Sequence, residues 1–151
     1  MRHSRFISST PLIAGLLTGL LFAILVVPLN AADSHSRYDV SKQVTLSGTV
    51  SSVLHKPAPG MIWGSHLMVE TASGRLDASL GRFGLEGKGA LSVTPGQPIE
   101  LTGVMKTVRD KQVFVVRSVK ANGKTYPMRN EHGIDVSPLT RERAAEKGVA
   151  L

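Results

Sequence analysis

The side chains of this chain that could do chemistry are five histidines, eleven carboxylates and a single tryptophan, and it contains no cysteine. Without thiols, redox exchange, thiolate metal sites and covalent haem attachment are closed to it. Of the histidines, His35, His55, His66 and His132 could be helped to a cation by Asp33, Glu70, Asp77 or Glu131. None of these has the spacing of a known ligand motif, and His66 and His132 are the two candidates for a divalent-cation site. Asp33-Ser34-His35 adds another possibility: cleavage after Ala32 would leave a free amine two residues from an imidazole, an arrangement that holds Cu(II) or Ni(II).

Catalysis finds no purchase. The sequence contains no nucleophile elbow, no phosphate-cradling glycine loop and no zinc-protease motif. A lone Ser or His is not a mechanism, so the chain is read as a non-enzyme that needs no cofactor.

Binding is the better-supported chemistry, and Trp63 is its first candidate. It lies among Pro59, Gly60, Met61 and Gly64, in a loop that leads into a strand. A ring in such a place is either presented to a ligand or folded over the open end of a barrel as a lid, and the lid is expected here. His66, Tyr126, Arg129, Glu131 and His132 complete the candidate ligand-binding set. His66 is expected on the outward face of its strand, and His132 in a local hydrogen-bonded turn. Of the other aromatics, Phe114 belongs to an apolar strand and Phe83 is expected to plug the barrel.

The elements that would carry these residues begin with an export segment. Arg2 and Arg5 precede an apolar run from Leu12 to Val27, and Asn30-Ala31-Ala32 offers a cleavage zone. Residues 1–32 are read as a signal peptide, with an uncleaved membrane anchor as the rival reading. The expected location is the periplasm or outside the cell. Removing Arg2 and Arg5 lowers the formal charge from +7 to +5, an excess that suits acidic partners or simple solubility.

The segment Gln43–Val50 alternates apolar and small polar residues, which reads as a half-buried strand. Leu67, Val69 and Thr71 mark one face of a second strand, and Leu76, Ala78 and Leu80 continue it in a third. A loop at Ser73-Gly74 sets Leu67 opposite Leu80 and Val69 opposite Ala78, whereas a slip of two residues pairs Glu70 with Arg75. Residues 81–89 lose the period of two and read as a short helical or irregular connection. Further strands are expected over 99–105, 113–119 and 125–128, with tight turns at Arg109-Asp110-Lys111 and Asn122-Gly123. Ser137-Pro138 starts a short helix over a charged tail that is expected to lie on the surface or fray.

The fold expectation is therefore all-β: a small OB-like barrel of five to six strands over residues 33–136. A short connecting helix and a short C-terminal helix, in the tail 137–151, accompany it. The order of motifs resembles a group of small exported bacterial OB-fold proteins, related in shape to the periplasmic stress-associated OB-fold family. The resemblance rests on Val44–Val50, Gly64-Ser65-His66-Leu67, Leu80-Gly81, Gly96, Gly103, Asn122–Thr125 and Met128–Gly133. It implies a fold and a compartment, and it departs at Ile134-Asp135-Val136-Ser137, where related chains often place a Trp. The functional expectation is a monomeric, exported, non-catalytic binding or envelope-stress module. Its ligand or protein partner would meet the barrel mouth around 55–65 and the turn 129–133. Divalent-cation binding and single-stranded nucleic-acid binding are the alternatives. Nucleic acid is disfavoured by the scarcity of exposed aromatics, and membrane contact is expected only through an uncut N-terminal segment.

Overall fold

A computed structural model describes residues 38–149 and 151. The export segment and the Asp33-Ser34-His35 motif lie outside the described residues.

A 3₁₀ turn at Val40–Lys42 leads into β1 (Val44–Leu54), then β2 (Ser65–Thr71), β3 (Gly74–Gly81), β4 (Pro98–Val108), β5 (Lys111–Ala121), β6 (Lys124–Pro127) and α1 (Pro138–Lys147). The strands form one sheet in the order β3-β2-β1-β4-β5-β6, and a parallel pairing of β3 with β5 closes the first five into a barrel. This is the OB-type layout that the strand pattern predicts.

Closure needs a long first strand that bends. β1 gives residues 44–49 to β4 and residues 48–54 to β2, and its register shifts between Val50 and Ser52. Ser51 absorbs the irregularity by donating its hydroxyl to the Met68 carbonyl at 3.1 Å. Bulges of this kind increase strand twist, which a small barrel requires. At Gly103, where β4 shifts register against β5, a Cβ would collide with the Val115 carbonyl. The absence of a side chain there lets the strands approach.

Leu67, Leu80, Leu101 and Phe114 are fully enclosed at the centre of the barrel, with Val50, Val69 and Val116 beside them. Each of these large side chains stabilises the fold by about 1.5–3 kcal/mol through burial.

The turns follow their residue types. Arg109 and Asp110 have φ of 50° and 63°, and Asn122 and Gly123 have 52° and 74°. Both are two-residue hairpins of the kind that needs positive φ twice and matches the twist of the flanking strands. The β2–β3 hairpin adopts the slipped register: Leu67 faces Ala78, Val69 faces Leu76 and Glu70 faces Arg75. Its loop is Ala72-Ser73 rather than Ser73-Gly74. The slip replaces a Glu70–Asp77 confrontation with an ion pair, Arg75 Nε to Glu70 Oε1 at 3.2 Å, and keeps the apolar face intact.

The connection from β3 to β4 is a series of turns without a helix. Positive φ at Gly81, Gly87 and Gly89 interrupts any regular repeat. Leu91 is buried and Leu85 packs against the core, whereas Phe83 is only half-buried under the guanidinium of Arg82. The plug is thus aliphatic, not Phe83.

The tail is docked, not frayed. Ser137 caps α1 by accepting from the Thr140 amide at 3.2 Å, and Gly148 closes it in the left-handed conformation. Arg141 and Ala144 of α1 are buried, and Arg141 Nη2 donates to the carbonyls of Phe83 and Glu86 at 3.0 and 2.8 Å. Through these bonds the helix is held against the β3–β4 connection.

Candidate functional site

The β1–β2 loop and the β4–β5 hairpin meet. A Cβ on Gly60 would lie 3.0 Å from Lys111 Nζ, and Gly60 itself has φ of 84°. Trp63 in this loop is 75% exposed, the most of any large apolar side chain among the described residues. The lid expectation is therefore overturned. Ile62 and Gly64 on either side turn inward: Ile62 lends its carbonyl to His66, and Gly64 packs so closely on Gly81 that a Cβ would strike its backbone. With both neighbours committed, the indole is left in solvent. Lys56, Arg109 and Lys111 are exposed on the same two loops.

His66 lies in the interior, with no solvent exposure, which corrects its expected outward placement. Nδ1 is 2.6 Å from Asp77 Oδ1 on β3, and Nε2 is 3.0 Å from the Ile62 carbonyl. A carbonyl and an ionised carboxylate only accept, so this geometry favours the doubly protonated ring, with both nitrogens donating. Burial works to lower its pKa, but the bonds to Asp77 and Ile62 and the Asp77 charge outweigh burial and the opposing Arg129 charge, so the net shift is upward. The β1–β2 loop folding back over this end of β2 is what encloses the ring.

Arg129 is also buried. One edge of β5 pairs with β3 at residues 114–115 and with β6 from residue 118 onward. Arg129 fills the interval: Nη1 donates to Ser79 O of β3 at 2.9 Å and to Val116 O of β5 at 2.7 Å, and Nη2 reaches Ser79 Oγ at 3.3 Å. Its Nε lies 3.1 Å from Asp135 Oδ1, while Asp135 Oδ2 accepts from the Arg82 amide at 2.9 Å. Burial depresses the guanidinium pKa and Asp135 opposes it, yet guanidinium stays charged. A Cβ at Gly81, whose φ is 77°, would collide with both Asp135 and Arg129. Arg129 is thus the staple of barrel closure.

Glu131 and His132 sit on the exposed turn 130–133, 3.4 Å apart. Asn130 Oδ1 organises the turn by accepting from the amides of His132 and Ile134, each at 3.0 Å. Gly133 is seated against Tyr38, which is buried.

Of the six sequence candidates, Tyr126 and Arg129 line one cavity of about 460 Å³. Trp63 belongs to another surface, His66 is enclosed, and Glu131 and His132 pair on their turn. No three His, Asp or Glu side chains converge on a point among the described residues. The groups that sequence reasoning passed over are Asp135, Arg141 and Lys111. Asp135 pairs with Arg129 nearby in the chain but also takes the Arg82 amide 53 residues away, Arg141 reaches the Phe83 carbonyl 58 residues away, and Lys111 lies beside Gly60, so of these contacts only Arg129–Asp135 is local in sequence.

Among the described residues no helix is long and apolar enough to cross a membrane. Neither the protein-family models nor the curated proteins contain a match to this chain.

Proposed function

We propose that this chain is an exported, non-catalytic binding module of the cell envelope, which engages its ligand or protein partner through the Trp63 loop. The observation that carries the reading is the solvation of Trp63 in the loop that touches the β4–β5 hairpin. Aromatic side chains bring roughly 150–250 Å² of surface and lose little entropy when they are covered. Among the described residues the other apolar rings, Phe83 and Phe114, are more buried than Trp63, and the loop that carries it is the surface we assign to the contact.

Lys56, Arg109 and Lys111, exposed on or beside the same two loops, favour an anionic partner, because Asp110 is the single acid in the sequence of these loops. In OB barrels the loops after the first and fourth strands border the ligand-binding face. The export reading comes from the N-terminal sequence pattern.

The test uses Trp63 itself, the only tryptophan of the chain. Its emission is followed while the full chain is titrated with anionic glycans, single-stranded oligonucleotides and divalent metals. Binding of one polyanion with a blue shift in wild type, and loss of that binding in Trp63→Ala when read by calorimetry, supports the reading. A ligand that binds without moving the emission and with equal affinity to Trp63→Ala refutes the site.

A further inference from the structure

The cavity lined by Tyr126 and Arg129 lies between the β5–β6 hairpin, Gly89 and α1, and its volume of about 460 Å³ falls in the range of small-molecule sites. Four cations line it: Arg117, Lys124, Arg129 and Arg141. No Asp or Glu is among its lining residues.

The cations differ in how they are satisfied. Arg129 has Asp135. Lys124 stands over the Tyr126 ring, 5.0 Å from its centroid, and Arg117 donates to Gln43 Oε1 at 3.3 Å. Arg141 is 7% exposed, and its Nη2 is used by two carbonyls, but Nε and Nη1 have no hydrogen-bond partner among the described residues. An enclosed guanidinium with idle donors and no Asp or Glu beside it among the described lining residues carries a desolvation cost that an anion would relieve. Part of the remaining wall is apolar, with the Tyr126 ring, Pro127, Ala144 and Val149, and part is polar, with Gln43, Ser118 and Thr125.

We propose that this cavity is a binding site for a small anionic amphiphile: a carboxylate or phosphate head against Arg141 and Arg117, with a short apolar body along Tyr126 and α1. The site is separate from the Trp63 surface and does not depend on that reading. A protein confined to the β barrel alone would have no such pocket, because α1 supplies Arg141, Ala144 and Ala145 to its wall.

The test is calorimetric titration of the full chain with octanoate, octyl phosphate, octanol, acetate and inorganic phosphate. A fold-preserving control is Ala145→Glu, which places a carboxylate at an exposed α1 position on the cavity lining. The expected result is that octanoate or octyl phosphate binds at least about tenfold more tightly than octanol and than either bare anion, and that Ala145→Glu weakens this by a similar factor. The tighter of the two heads identifies the ligand as a carboxylate or a phosphate monoester. Equal binding of octanol, equal binding of the bare anions, or affinity unchanged in Ala145→Glu with its melting temperature preserved would each overturn the proposal.

Discussion

The imidazole of His66 and the carboxylate of Asp77 are joined at 2.6 Å across β2 and β3, and the Ile62 carbonyl takes the opposite ring nitrogen. This arrangement holds only while the ring carries both protons. The folded-state pKa stands above the ordinary 6.5, so the stabilisation is complete below that unfolded value and is lost as pH rises through the folded one. Thermal unfolding of wild type against Asp77→Asn should show a cost of roughly 1–3 kcal/mol at pH 6 that shrinks by pH 9. A gap that does not vary with pH would rule out the imidazolium.

Arg129→Ala should cost about 3 kcal/mol, because it leaves the Ser79 and Val116 carbonyls and Asp135 without their donor. Arg129→Lys should recover little of it, since an ammonium cannot reproduce the guanidinium fork. Urea denaturation reads this as a lower midpoint with an unchanged slope. Gly81→Ala is expected to be destabilising by the same route, through strain at φ of 77° and collision with Asp135.

The hairpin register has its own signature. Glu70 and Arg75 are 53% and 61% exposed, so their coupling in a double-mutant cycle should be about 0.2–1 kcal/mol and should fall in high salt. Coupling of zero at low salt would speak against the Glu70–Arg75 pairing.

Much of the barrel was legible from alternation and turn chemistry. Val44–Val50, the Asn122-Gly123 hairpin and the Ser137-Pro138 helix start all rest on rules local to a few residues, and the structure follows them. What was not legible depends on elements that meet from afar. Strand alternation put His66 on the same face as Glu70, and that face is indeed exposed at Glu70. At His66 it is covered by the β1–β2 loop, which periodicity within a strand cannot reveal. The slip from Leu80 to Ala78 opposite Leu67 moves two residues and so preserves the inward face; only the charges of Glu70, Arg75 and Asp77 distinguish the two registers. Arg129 reads as a surface cation in a turn motif, and becomes a staple because β3 and β6 leave an interval on one edge of β5.

Trp63→Ala should leave stability within about 0.5 kcal/mol of wild type, as expected for an exposed side chain away from the core. Wild-type emission should be that of a solvated indole. A blue-shifted emission in the ligand-free chain, or a large loss of stability on substitution, would mean the ring is packed after all.

Binding at the Trp63 loop can be read from the indole itself. The decisive measurement is the Trp63 emission of the full chain during titration with anionic glycans and single-stranded oligonucleotides, repeated at raised salt and with Lys111→Glu. Binding at this loop should give a saturable blue shift with a polyanion, weakened by salt and by Lys111→Glu. Binding detected by calorimetry while the emission stays unmoved, and unaffected by Lys111→Glu, would contradict it.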